Sequence, residues 1–315
     1  VCWNALQAGY FNHGYDEEAL DCFERMQVEN LHPDAATIVC SLKGCANLGA
    51  VRIGQGIHDI LIRNSFLEKD IVVGNALVEM YAKCGFLANA IAVFEKLPNR
   101  DVMSWNAIII GYIQNGQVKT ALGWFERMQS EGVFHDIVTF VCILKACNTI
   151  GSIEKGKEIH AIITQRALET NLLVGNALID MYSSCGLICK AQEVFDKLLL
   201  PDIISWTSLL SGLVKHGYAE EAVDFFEQMQ LKDLILDALV YVCVLKACGV
   251  IGAIEKGQIL HAEITRRGLE VDLVVGNSLI DIYANSGMLM EASEVFWHLL
   301  ARDIVSYTAL LSGYA

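Results

Sequence analysis

The sequence predicts an all-α chain, a right-handed α-solenoid of stacked helix–turn–helix repeats. Three observations predict it: words that return every 101 or 102 residues, apolar residues at helical spacing, and the absence of hairpin-turn signals.

The words come in a fixed cycle. SWNAIIIGY, Ser104 to Tyr112, matches CWNALQAGY from Cys2, SWTSLLSGL from Ser205 and SYTALLSGY from Ser306, in steps of 102, 101 and 101 residues. LKGCANLGAVRIGQGIH, Leu42 to His58, returns as LKACNTIGSIEKGKEIH from Leu144 and LKACGVIGAIEKGQILH from Leu245. VGNALVEMYAKCG, Val73 to Gly85, returns as VGNALIDMYSSCG from Val174 and VGNSLIDIYANSG from Val275. The cycle divides into three related pieces of 35, 35 or 36, and 31 residues.

Each piece holds two helical patterns. VMSWNAIIIGYIQNG is an uncharged helix ended by Gly116. VKTALGWFERMQSEG carries Ala121, Leu122, Phe125 and Met128 as a one-sided stripe and ends at Gly132. A hairpin of 31–36 residues cannot bury its own apolar face, so its neighbours must cover it by stacking. Nine hairpins of 18 helices are expected, with one more helix begun at the C-terminal end. The first helix of each hairpin, nearly free of charge, is expected to line the inner, concave side. The second is expected to face solvent.

Composition agrees. Hydrophobic residues make up 54% and charged residues 19%, which excludes disorder. Three prolines and no Pro/Gly/Ser-rich stretch favour one continuous array over residues 1–315 rather than two domains on a linker. No run of 18 apolar residues predicts a membrane span. The opening VCWNALQAGY begins inside the pattern, as a fragment would, and carries no targeting signal. Cys40/Cys45, Cys142/Cys147 and Cys243/Cys248 lie five residues apart. That spacing points the two thiols in different directions on a helix, so they are expected to be reduced core residues.

These words resemble the pentatricopeptide repeat (PPR) family. SWNAIIIGYIQNG…ALGWFERMQSEG, VTFVCILKACNTIGSIEKGKEIHA and VGNALIDMYSSCG…AQEVFDKL are similar in particular to its PLS subclass, in which P, L and S motifs alternate with about these lengths. The likeness covers essentially the whole chain. It implies P motifs at 1–34, 102–136 and 203–237, L motifs at 35–70, 137–171 and 238–272, and S motifs at 71–101, 172–202 and 273–303, with a partial P motif at 304–315.

In that family the fifth and last residues of a motif select one RNA base, read parallel to the chain. The P-motif pairs are Asn4 with Asp34, Asn106 with Asp136 and Thr207 with Asp237. The S-motif pairs are Asn75 with Asp101, Asn176 with Asp202 and Asn277 with Asp303. The L motifs offer Val39 with Asp70, Val141 with Asn171 and Val242 with Asp272, whose apolar fifth residue departs from the pattern. A planar amide, donor and acceptor together, suits the N3–H and carbonyls of uracil. The alternative is that the asparagine merely caps or pins its hairpin; Thr207 and Thr308 in the same register weigh against this.

The net charge of −14 argues against a polyanion partner until the charges are located. The first fourteen positions of each complete motif, thirteen in the truncated first, carry Lys43, Lys83, Lys145, Lys215 and Lys246 against Glu79, Asp180 and Asp281, a net of +2 that leaves −16 elsewhere. Lysine at the ninth place of each L motif faces an acid at the ninth place of the next S motif, which predicts ion pairs Lys43–Glu79, Lys145–Asp180 and Lys246–Asp281.

The resemblance implies single-stranded RNA as partner, U-rich with G at the seventh position, and organellar editing factors, in a mitochondrion or plastid. It implies no cofactor. No HxE…CxxC zinc-deaminase signature accompanies the repeats, and no enzymatic activity is expected. His58, His160 and His261 recur at one place in the cycle, as packing residues do. The alternative function is a tetratricopeptide-like scaffold that binds peptides, although such arrays lack the 31-residue member. A scaffold for processing factors that meets RNA only incidentally is a third.

Overall fold

A computed structural model describes residues 2–29, 31–64, 70–232 and 234–314. These form nineteen helices, and no strand occurs among them. The helices gather into two compact units, Val1–Ile150 and Gly151–Ala315.

The first unit holds α1 (Cys2–Asn12), α2 (Asp16–Val28), α3 (Ala35–Leu48), α4 (Val51–Arg63), α5 (Ile71–Lys83), α6 (Leu87–Lys96), α7 (Val102–Gln114), α8 (Val118–Ser130) and α9 (Ile137–Ile150). The second holds α10 (Ile153–Gln165), α11 (Leu172–Ser184), α12 (Ile188–Lys197), α13 (Ile203–Lys215), α14 (Ala219–Gln230), α15 (Ala238–Ile251), α16 (Ile254–Arg266), α17 (Leu273–Asn285), α18 (Leu289–His298) and α19 (Ile304–Tyr314).

In each unit the first helices of successive hairpins pack directly on one another. The series are α1–α3–α5–α7–α9 and α11–α13–α15–α17–α19. A second helix such as α6 or α14 lies against two consecutive first helices. The sequence explains this division. α7 is apolar around most of its circumference and buries Trp105, Ile108, Ile109 and Tyr112. α8 buries the single stripe Val118, Ala121, Phe125 and Met128. Two recurring tryptophans anchor their layers: Trp105 meets Phe94 edge-to-face at 4.9 Å, and Trp206 meets Phe195 at 4.8 Å. Cys45, Cys147, Cys243 and Cys248 are buried among these apolar residues, and burial pushes the Cys45 thiol up to about 12.

Three first helices, α7, α13 and α19, approach the first helix before them closely because one residue in each lacks a side chain. Gly111, Gly212 and Gly313 lie at the crossings of α7 on α5, α13 on α11 and α19 on α17. A Cβ added there would stand 2.4 Å from Ala82 Cβ, 2.5 Å from Ser183 Cβ and 2.7 Å from Ala284 Cβ.

The recurrent histidines join the two kinds of helix. The Nδ1 atoms of His58, His160 and His261 lie 2.9, 2.8 and 3.0 Å from the hydroxyls of Tyr81, Tyr182 and Tyr283. Burial holds all three imidazoles below the ordinary histidine value, even at His160, where the Glu169 carboxylate pulls the other way. The unfolded chain therefore takes up these protons first. The stability this contributes is complete above the unfolded value of about 6.5 and is lost as the pH falls below it. Thermal melts should show a lower midpoint at about pH 5 than at about pH 7.5, a window above the aspartate titrations. Exchanging the three histidines for glutamine should shrink that difference; an undiminished difference would refute the assignment.

Candidate nucleic-acid interface

The fifth residues sit one turn into the first helices, on α1, α3, α5, α7 and α9 in the first unit and on α11, α13, α15 and α17 in the second. Each motif-final residue lies just before the next first helix and caps it. Asp101 and Asp202 form capping boxes with Ser104 and Ser205. Asp34, Asp136, Asp237 and Asp303 accept the backbone N–H of Thr37, Thr139, Val240 and Ser306. Asp70, Asn171 and Asp272, which close the L motifs, accept from the second and third N–H of their helices instead.

Helix capping brings the last residue back to the fifth residue of its own motif. The amide Nδ2 of Asn75 donates to Asp101 at 3.0 Å, Asn106 to Asp136 at 3.1 Å, Asn176 to Asp202 at 3.0 Å and Asn277 to Asp303 at 3.2 Å. Asn4 donates to Asp34 in the same way. The amide oxygen is held too: Ser104, Thr139, Ser205 and Ser306 donate to Asn75, Asn106, Asn176 and Asn277 at 2.5 to 2.7 Å. A hydroxyl at the third place of the next motif thus accompanies each amide. Where the fifth residue is Thr207, Val39, Val141 or Val242, that third place holds Val240, Val73, Val174 or Val275.

These bonds fix the ionisation of the cluster. Burial opposes charge on Asp101, Asp136 and Asp202, but the backbone, hydroxyl and amide donors outweigh it and hold the carboxyls below the usual range. At Asp34 and Asp303 the capped backbone N–H is the main cause of the same lowering. The acceptors stay anionic at neutral pH. Each pinned amide keeps a second N–H and a second lone pair for another partner.

Thr207 is different. Its hydroxyl donates to Ile203 O at 2.7 Å, within its own helix, and makes no bond to Asp237. Val39 and Val242 have no polar atom to offer Asp70 or Asp272. The structure therefore joins the amide pairs and leaves the threonine and valine pairs unbonded.

A feature absent from the sequence reading completes the site. The second residue of successive first helices is apolar and exposed: Val72, Met103 and Val138 in the first unit, and Leu173, Ile204, Leu239, Val274 and Val305 in the second, with 49% to 68% of their surface open. Met103 and Val138 flank Asn106 and Asp136 around a cavity of about 280 Å³. Val274 and Val305 likewise flank Asn277 and Asp303 around one of about 420 Å³. A notch with a polar floor and two apolar walls accepts a flat heteroaromatic ring, faces to the walls and edge to the amide. The signal for these residues was their place, two after each cap, in helices that are apolar all round.

The expected cross-helix ion pairs are not formed inside the units. Among the described residues Lys43 and Lys246 have no ion-pair partner; Glu79 pairs with Lys83 on its own helix at 2.8 Å, and Asp281 accepts from Asn285 at 3.1 Å. A partner one turn along the same helix is already aligned, whereas a pair across helices must order two long chains. The expected Lys145–Asp180 pair would link the two units.

Since each aspartate both caps and holds an amide, Asp202→Ala should cost about 1–2 kcal/mol, from the lost cap of α13 and the stranded amide of Asn176. Asp202→Asn, which can still cap, should cost less. Urea denaturation of both variants measures the difference, and equal losses would count against the cap.

Sequence models of the PPR repeat family match residues 100–149 and 201–250, and those of the PPR repeat match 1–31, 75–102, 176–200 and 277–304. Three similar relatives are pentatricopeptide repeat-containing proteins of Arabidopsis thaliana. They are At4g18520, chloroplastic (32% identity over 99% of this chain and 51% of the relative), At3g09040, mitochondrial (32%, 100% and 30%) and At4g38010 (35%, 99% and 56%). The chain thus spans about half the length, or less, of these relatives. Among solved structures, maize PPR10 superposes with a TM-score of 0.75 at 19% identity, over 98% of this chain and 44% of that one. PPR10 in complex with an 18-nt psaJ RNA element gives 0.72 at 17% identity, over 99% and 52%.

Proposed function

The chain belongs to the pentatricopeptide repeat family, and from that premise we propose that it binds single-stranded RNA in a sequence-specific manner, one base per motif. The observation that carries this reading is the repeated notch, an amide held by an anionic carboxylate between two exposed apolar side chains, as at Asn106, Asp136, Met103 and Val138. Uracil fits it. The remaining N–H of the amide reaches a uracil carbonyl, and the remaining lone pair takes N3–H. Burial of the base faces against these aliphatic walls supplies most of the affinity, which suits a first-helix layer with little positive charge.

With P, L and S motifs as in the PLS subclass, Asn–Asp selects U and Thr–Asp selects G. The target reads 5′-U-n-U-U-n-U-G-n-U-3′, with n at the L motifs. The role is organellar RNA editing, processing or stabilisation, with editing factors as partners, in a plastid or mitochondrion. The relatives' names support the location. Competition among ribohomopolymers and this nine-mer tests the reading. Preference for poly(U) and for the nine-mer over its scrambled form is expected; equal binding of all homopolymers would overturn it.

A further inference from the structure

Lys43 and Lys246, without an ion-pair partner among the described residues, have a use that base reading leaves open. Lys246 is exposed on α15 and lines the same cavity as Asn277, Asp303, Val274 and Val305. It also lines a neighbouring cavity of about 650 Å³ with Leu239 and Val242, the second and fifth residues of its own motif. The acid in both cavities, Asp281, is engaged by Asn285 rather than by the lysine. Lys43 has the same place on α3, is exposed, and sees its expected partner Glu79 taken by Lys83. Lys145 occupies this register in the middle cycle.

We propose that the ninth-place lysine of each L motif holds the RNA backbone, its ammonium on the phosphodiester between the L-motif nucleotide and the next one. The proposal rests on the RNA-binding reading above and adds a division of labour to it. A buried valine at the fifth place, as at Val242, has no hydrogen-bonding atom with which to read a base edge. An ammonium beside the adjoining notch lies where the sugar–phosphate chain must pass once a base enters that notch. Lysine is a point charge on a flexible stem, so it follows a phosphate without demanding one geometry. The S and P motifs then read bases, while each L motif grips the backbone once every third nucleotide.

The test is the salt dependence of binding to the nine-mer. Each phosphate contact to a single strand contributes a slope of about 0.7 in log affinity against log salt. Lys246→Gln should therefore reduce the slope by about 0.7, so that the affinity lost between about 50 and 200 mM salt shrinks by a factor of about 2.6. The triple exchange of Lys43, Lys145 and Lys246 should reduce the slope by about 2, while U over G preference at the ninth nucleotide persists. Lys246→Arg should keep the slope. Lys190→Gln, the same charge change on α12 where the lysine pairs with Glu193, should leave it unaltered. An unchanged slope in the triple variant, with binding retained, overturns the backbone grip and leaves base reading intact. No saturable binding by the unmodified chain would overturn the RNA-binding reading itself, and this proposal with it.

Discussion

Gly111→Val should destabilise the chain by about 1–3 kcal/mol or more, the largest loss expected of a single substitution here. Even the Cβ of the new side chain would lie 2.4 Å from Ala82 Cβ and 3.3 Å from Ala82 Cα. The second of these is backbone, so α5 and α7 must separate, and with them the buried contact around Trp105 and Phe94. Gly111→Ala is the sharper diagnostic. In a helix interior alanine is favoured over glycine by about 1 kcal/mol, so a loss on this exchange can only come from the crossing. Gly123, on α8, has no atom within 4 Å of an added Cβ. Gly123→Ala should stabilise by about 0.5–1 kcal/mol. Denaturant midpoints of the two alanine variants should therefore move in opposite directions, and movement in the same direction would defeat the account of the crossing.

Thr207→Asn should turn the preference at the seventh nucleotide from G to U and leave the other eight as they were. In the unmodified chain the Thr207 side chain is turned back onto Ile203 O and is shorter than an amide, which under the proposed code favours a purine over the Asp237 carboxylate. That carboxylate can accept from N1–H and N2–H₂ of guanine. An amide in this place would donate to Asp237, as Asn176 does to Asp202 at 3.0 Å, and present a uracil-matching edge. No hydroxyl would hold its oxygen, because Val240 stands where Ser205 serves Asn176. Thr207→Asn combined with Val240→Ser should therefore discriminate better than the single exchange. A good edge contact is worth about 1–3 kcal/mol, on the order of tenfold or more in relative affinity. Competition between nine-mers carrying G or U at that nucleotide, at one salt concentration, measures it. Equal ratios in the variant and the unmodified chain would sink the code at this repeat.

Much of the fold was legible because it is local. Helical spacing, terminal glycines and the returning words place the starts of helices such as those at Ile71, Val102 and Ile203. The asparagine register was legible for the same reason. Two things were not. Val72, Met103 and Val138 look like core residues in sequence, because an apolar position in an all-apolar helix is buried or exposed according to which neighbour covers it. The Lys43–Glu79 and Lys246–Asp281 pairs follow from equal positions on adjacent helices, but Lys83 and Asn285 on the acids' own helices are closer competitors. The capping duty of the aspartates, by contrast, is written in the sequence as D-x-x-[ST], at Asp101 to Ser104 and Asp202 to Ser205.

That double duty limits the vocabulary of the proposed code. The last residue of a motif is also the first word of the next, since the same carboxylate that steadies an amide starts the following helix. Only side chains that can start a helix can stand there without loosening the neighbour, which leaves a short alphabet of Asp, Asn, Ser and Thr. Changing the message of one repeat therefore edits the stability of the next, and a redesigned array would have to be spelled two repeats at a time.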